Sequence, residues 1–427
     1  MIRFSDYFKD TVSIKTIKSI STLMTGNILA VIIPIVTAPI SSRIFNSSDY
    51  GILGLYISIN GLINVIGYAH YQHAILLESE PDGAKRYLWF TLGFCAVISV
   101  LTGLILLLLA ISSSVIPNSV IGNWIWFLPL SVLCNGVSGC FLLWANRNQE
   151  YKVLSSNRVI QALLTVIVQL AIGLLIQNES GLMYGFIFGQ VLSAFLLLRK
   201  FCNQSSHGVG FPVFKSIRQM AIKYKGLLFY SAPSEFINTL INQAPVFLLN
   251  KFAGVAYVGS FNFTQRLLGV PQMLLSSSIV EVFRQKAAFE YNNNGNCRPL
   301  FIKTFKVLTI IAIGPLLVMM FFSHEIFDFV FGSQWREAGE LARILSILFF
   351  FRFIISPLTY VYTIASRFKE DFAMHIFLLI AIGLSFMIGY YFSLTNHQLL
   401  LSYTLAYSFC YFIYLYRSFK LSKIEHR

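Results

Sequence analysis

The chain reads as an all-α integral membrane protein of about twelve spans in two six-helix bundles, and three observations predict this class. Of 427 residues, 56% are hydrophobic and 12% charged, with a mean hydropathy of +0.68; soluble domains carry roughly 25% charged residues. Apolar runs such as 104–110 and 344–351 lack the alternation of a barrel strand. Lipid offers backbone amides no partner, so such runs must be helical. Finally, once spans of about 20 apolar residues are placed, 26 of the 32 Lys and Arg fall on one side. Arg43, Lys251, Arg336 and Arg343 fall on the other, and Arg266 and Arg352 lie inside spans. Basic residues collect on the cytoplasmic side, so both termini are expected there. The net charge of +14 is spread over short loops as an orientation signal, and nucleic acid is not an expected partner.

The elements follow in order. Residues 1–18 form a cytoplasmic leader carrying Arg3, Lys9, Lys15 and Lys18, with no apolar core or cleavage site of a signal peptide. Phe4, Tyr7, Phe8 and Val12 recur near helical spacing, a pattern suited to the membrane surface. The N-lobe, 19–200, holds spans near 19–43, 51–77, 87–111, 124–145, 157–177 and 182–200. Span 1 contains Pro34 and Pro39, and span 2 carries a polar stripe of Asn60, Asn64, Gly67, Tyr71 and Glu78 beside His70 and His73. Isolated Asn135, Gln161, Gln169 and Gln190 read as hydrogen-bonding groups between helices. A basic cytoplasmic linker, 201–226, then joins the halves, as it does in transporters built from repeats.

The C-lobe, 227–416, holds spans near 227–250, 256–283, 304–323, 339–365, 373–393 and 399–416, and 417–427 is a cytoplasmic tail. Span 7 places Glu235, Asn238 and Asn242 on one face with Gln243 beside them, between Pro233 and Pro245. Span 8 is expected to be one helix with a stripe of Asn262, Gln265, Gly269, Gln272 and Ser276, flanked by Arg266 and Pro271. A charge at a helix centre costs about 2.5–3.5 kcal/mol on insertion scales, so Arg266, and Arg352 in span 10, should face a wet cavity or a partner. For Arg352 that partner could be Glu235 or Glu281. The expected cavity is lined by spans 1, 2, 7 and 8.

The halves also share a weak repeat. Arg43 stands eight positions before Gly51, and Lys251 eight before Gly259, an offset of 208 residues. Equal orientation points to repeats related by an axis along the membrane normal.

Enzyme chemistry finds no support. The six cysteines have no CxxC spacing, and His70 and His73 lack a third ligand, so no metal or cofactor is predicted. Walker A, GxSxG and HExxH patterns are absent. The longest outer loop, near 324–338, is too short for a catalytic domain.

Several short segments stand out in order along the chain. The first half holds Arg43-Ile-Phe45, Asp49-Tyr50-Gly51, Tyr56-Ile-Ser58 and Ala74-Ile75. The second half adds Tyr230-Ser-Ala-Pro233, Gln243-Ala-Pro245, Val258-Gly-Ser-Phe261, 265–271 and 331–339. In these segments the chain resembles bacterial polysaccharide exporters of the multidrug/oligosaccharidyl-lipid/polysaccharide (MOP) superfamily. The resemblance implies a MATE-like fold and an O-antigen-type (Wzx-like) flippase of the bacterial inner membrane. Its cargo would be an undecaprenyl-diphosphate-linked oligosaccharide, carried from the cytoplasmic to the periplasmic leaflet. The partners implied are membrane lipid, a coupling ion (H+ or Na+), a polysaccharide polymerase and a chain-length regulator. Relatives carry an acidic residue near the Tyr71–Ala74 step, where this chain has Gln72 and His73, so ion coupling there is not expected. Arginine suits a diphosphate, and the expected binding residues are Arg266, Arg352, Arg43, Lys251, Glu235, Asn238, Asn242, Gln243, Asn262, Gln265, Gln272, Asn60, Asn64 and Tyr71. The rivals are a drug or metabolite antiporter on the same fold and a membrane-embedded O-antigen polymerase or ligase. Cationic spans disfavour the first for cationic drugs, and the short outer loops disfavour the second.

Overall fold

A computed structural model describes residues 14–112, 120–176, 178–204 and 214–423. The surface-seeking stretch expected around Phe4–Val12 lies outside them. Among the described residues ten helices are long and apolar enough to cross a membrane. The polar helices of spans 7 and 8 are the two segments that composition alone does not mark, so about twelve spans fit.

The contacts divide the chain into two units. The first comprises 1–38 and 59–233, and the second 39–58 and 234–427.

In the first unit, helices α1 (Ile14–Val36), α5 (Pro81–Ser112), α6 (Leu128–Arg147), α7 (Tyr151–Ile176) and α8 (Glu179–Gln204) pack as long spans. Leu108, Leu174 and Leu175 stay on their outer faces, as lipid-facing residues do. At one end Ile75, Tyr87, Leu88, Phe141, Phe201 and Met220 form a core. The linker contributes to it through the short helix α9 (Phe214–Lys223). The Tyr87 hydroxyl donates to the Met220 carbonyl at 3.2 Å, and Lys223 pairs with Glu78 at 2.7 Å. That hydrogen bond with Glu78 holds the Lys223 ammonium above the ordinary lysine range. Arg147 donates to the carbonyls of Ile75, Glu78 and Ser79, capping chain that no helix satisfies.

Span 2 departs from the expected single helix. Helix α3 (Ser47–Tyr68) ends where Ala69 and His70 take positive φ values of 42° and 60°. A 3-10 turn at Tyr71–His73 and the short α4 (Ala74–Leu77) follow. The start of α3 explains part of the Asp-Tyr-Gly segment. The Asn46 amide donates to Asp49 at 2.9 Å, and the Asp49 amide to Asn46 Oδ1 at 3.0 Å, a reciprocal cap of the capping-box type.

The second unit contains α2 (Ala38–Ile44) from Pro39 onward, the first half of α3, α10 (Ala232–Ala253), α11 (Val255–Leu268), α12 (Val270–Asn294), α13 (Arg298–Phe331), α14 (Arg336–Leu358), α15 (Val361–Ile364), α16 (Phe368–Tyr391) and α17 (Asn396–Leu421). Span 8 is thus two helices, because Pro271 lacks the amide that would continue the ladder past Gly269. The outer loop expected at 324–338 is replaced by helix: α13 runs to Phe331, and Gly332, at φ 99°, turns the chain into a 3-10 step at Ser333–Trp335.

The two glycines of the sequence repeat meet each other's helices. A Cβ on Gly51 would fall 2.0 Å from the Val255 carbonyl oxygen, and one on Gly259 would fall 1.6 Å from that of Ser47. Only glycine permits this approach of backbones. Beside the seam Trp335 is fully buried. Its ring stacks on Phe263 with centroids 4.1 Å apart, and its indole N–H donates to the Ser42 carbonyl at 2.8 Å.

Candidate functional site

Within the second unit α3, α10, α11, α12 and α14 enclose a cavity of about 590 Å³. Asn242, Gln243, Asn262, Gln265, Arg266, Gln272 and Arg352 all line it, so three spans deliver amides and guanidiniums to one space. Gly269 lines it too, and the break there leaves the Asn262–Gln272 stripe facing the cavity on both of its helices. Ser276, further along, has no described side chain. No residue of α1 lines this cavity among the described residues.

The polar groups hold one another in place. Arg352 Nη2 donates to Asn242 Oδ1 at 3.0 Å, and Asn242 Nδ2 donates to the Asn238 carbonyl at 2.8 Å. The Ser58 hydroxyl donates to Gln243 Oε1 at 2.7 Å. Asn262 lies over Gly54, where a Cβ would approach its Nδ2 to 1.9 Å. Arg266 projects into the cavity exposed, without a hydrogen bond or ion pair among the described residues. No carboxylate lines the cavity among the described residues, so the described lining is positively charged. Such a wall favours an anion in low-dielectric surroundings.

The remaining candidates lie elsewhere. Asn238 lines a neighbouring cavity. Arg43 and Lys251 are exposed in the last turns of α2 and α10, with the Lys251 ammonium 5.9 Å from the Phe252 ring centre. Glu235 is half-buried in the first turn of α10 and lines neither cavity. Arg352 bonds an amide rather than Glu235, and the Glu281 side chain is not described. Asn60, Asn64 and Tyr71 belong to the first unit. Asn64 donates to Asn60 Oδ1 at 2.8 Å. The break at Ala69–His70 takes Tyr71 off the stripe: it is buried and donates to the Ala221 carbonyl at 3.2 Å. The rings of His70 and His73 lie 5.1 Å apart. Tyr50, Ser58 and Phe349 also line the cavity; Tyr50 and Ser58 belong to segments that carry the family resemblance, but none of the three is among the expected binding residues, because a tyrosine, a serine and a phenylalanine carry no insertion cost that betrays them.

Residues 40–340 match the family described as polysaccharide biosynthesis protein. A stretch of 128 residues is 21% identical to the teichuronic acid biosynthesis protein TuaB of Bacillus subtilis (strain 168), covering 30% of this chain and 26% of that protein's length. Among solved structures, the lipid II flippase MurJ in an inward closed conformation superposes with a TM-score of 0.72 at 14% identity, over 95% of this chain and 90% of that one. An inward-facing multidrug resistance MATE family transporter of the MOP superfamily gives 0.72 at 13% identity, over 94% of both chains. A MOP superfamily transporter from Pyrococcus furiosus Vc1, described as having a binding pocket of reverse polarity, gives 0.63 at 14% identity over 95% and 97%. The fold is that of MOP transporters.

Proposed function

The chain belongs to the polysaccharide biosynthesis protein family, and from that membership we propose that it flips an undecaprenyl-diphosphate-linked oligosaccharide from the cytoplasmic to the periplasmic leaflet. The family and the fold place it among multi-pass membrane transporters rather than enzymes. The carrying observation is the cavity wall: two arginines and five amide side chains with no carboxylate among the described residues. A diphosphate is a strong acceptor for the arginine fork, and amides suit its oxygens and the first sugar hydroxyls. A drug antiporter for cations would need the opposite charge. In this reading the units alternate access in the inner membrane, with both termini cytoplasmic, and hand the cargo to a polymerase and its chain-length regulator.

Arg266 has the role of binding the diphosphate, since it alone of the two arginines carries no protein hydrogen bond among the described residues. Arg266→Ala should remove a charge-assisted bond worth roughly 1.5–3 kcal/mol, about a tenfold to hundredfold loss of affinity. Arg266→Lys should rescue partly, keeping the charge without the bidentate fork. The assay is surface polysaccharide in a flippase-deleted strain, with membrane insertion measured in parallel. Wild-type polysaccharide from an inserted Arg266→Ala variant at low expression would overturn the assignment.

A further inference from the structure

The arginine cavity shares lining residues with two neighbours. Arg352 and Asn242 also line a second cavity of about 400 Å³. Gln272 and Phe349 also line an apolar crevice of about 110 Å³ that continues over Pro271, Ala312 and Leu316. Hence the three spaces adjoin through shared residues, all within the second unit.

The second cavity differs from the first in chemistry. Tyr407, Tyr411 and Tyr414 line it from one face of α17, and Tyr360 lines it from the turn between α14 and α15. The rings of Tyr407 and Tyr411 stack with centroids 4.9 Å apart, and Tyr411 meets Tyr414 edge to face at 6.3 Å. The Arg284 guanidinium lies 4.8 Å from the Tyr360 ring centre. Asp371 accepts a hydrogen bond from the Tyr414 hydroxyl, and His375 Nδ1 lies 2.9 Å from the Asp371 carbonyl. The space thus combines an aromatic wall with hydrogen-bonding groups of both kinds.

We propose that this tyrosine-lined cavity is the glycan subsite for the sugars next to the diphosphate, and that the apolar crevice receives the first part of the prenyl chain. The proposal rests on the flippase reading above. A lipid-linked oligosaccharide has a fixed covalent order: prenyl chain, diphosphate, sugar. The cavities occur in that order too: apolar crevice, arginine cavity, tyrosine cavity. A pyranose ring presents a face of weakly positive C–H groups, which pack on the negative face of an aromatic ring. Its hydroxyls both donate and accept, so Asp371 takes donors while Asn238 and the arginine cations supply them. A volume of about 400 Å³ lies within the roughly 300–1,000 Å³ range of small-molecule sites. Arg352, bonded to Asn242 on the shared wall, stands where the diphosphate joins the first sugar.

The test uses the full-length chain in lipid nanodiscs and two probes. One is undecaprenyl diphosphate; the other is the lipid-linked oligosaccharide that accumulates in a flippase-deleted strain. Wild-type protein should bind the oligosaccharide lipid more tightly than the bare diphosphate lipid. Tyr411→Leu, which keeps bulk and loses the aromatic face, should weaken the oligosaccharide lipid roughly three- to tenfold and leave the bare lipid unchanged. Tyr411→Phe, which keeps the face, should stay within about twofold of wild type for both probes and serves as the folding control. Equal binding of both probes by wild type, no loss in Tyr411→Leu, or a loss in Tyr411→Leu shared by both probes overturns the glycan subsite. Failure of wild type to bind either probe would instead sink the flippase reading.

Discussion

Trp335 shows how one residue can hold several segments. Its ring packs between Phe263 and Tyr50, and its N–H reaches the Ser42 carbonyl, which Gln334 also approaches. Trp335→Phe keeps the stacking and loses the donor, so it should cost about 1 kcal/mol. Trp335→Ala also opens a cavity and should cost about 3–5 kcal/mol. Heating the purified protein, with exposed Cys202 replaced by serine, in a thiol-reactive dye reads both, since Cys95, Cys134, Cys140, Cys297 and Cys410 are buried in the folded state. Equal losses would mean that the hydrogen bond, not the ring, carries the stability. At this scale the letters reveal what is costly in lipid. Arg266, Arg352 and the amides of spans 7 and 8 stand out from a sequence that is otherwise apolar. The tyrosines of α17 do not, because among 21 tyrosines only packing decides which ones wall a cavity.

The apolar lengths of the elements were legible, but their breaks were not. Span 8, expected as one helix, divides at Gly269 just before Pro271, and the outer loop expected at 324–338 is helix up to the turn at Gly332, although a proline and a glycine stand at these two places. The break in span 2 carries no such mark, since Ala69 and His70 adopt positive φ without being glycine, a strain of about 1–2 kcal/mol per residue. Tertiary contacts must hold it, and Arg147 is the candidate, bonding the Ile75 carbonyl within α4 and those of Glu78 and Ser79 just beyond it. Arg147→Ala leaves those carbonyls short of donors and should destabilise the protein by about 2–3 kcal/mol, seen as a lower unfolding temperature in detergent. Glu78→Gln should act differently. The Lys223 partner is largely exposed, so global stability should change little, while trypsin should cut the linker faster in inside-out vesicles. An unfolding temperature lowered equally by both substitutions would make the ion pair, not the carbonyl cap, the support of this corner.

For the whole molecule, the asymmetry of Lys and Arg is an orientation statement that can be read directly. In a chain whose exposed Cys202 is replaced by serine, cysteines introduced at Ser114 and Asn178 should react with an impermeant thiol reagent added outside. One at Ser205 should stay protected until the membrane is opened. Labelling of Ser205 alone from outside would invert the topology. The helical class and the number of spans were legible because the bilayer dictates segment length and charge side. The grouping of 39–58 with the C-terminal half was not, since it depends on which backbones can approach, and no hydropathy pattern reports that.

The paired glycines at 51 and 259 have a consequence for how the chain can change. Each side of the seam is already at the smallest residue there is, so a larger side chain at one position has no compensating reduction at the other. Second-site suppressors of a Gly51 or Gly259 lesion must therefore act by shifting a whole helix, and are to be sought along α3 and α11 rather than at the contact itself.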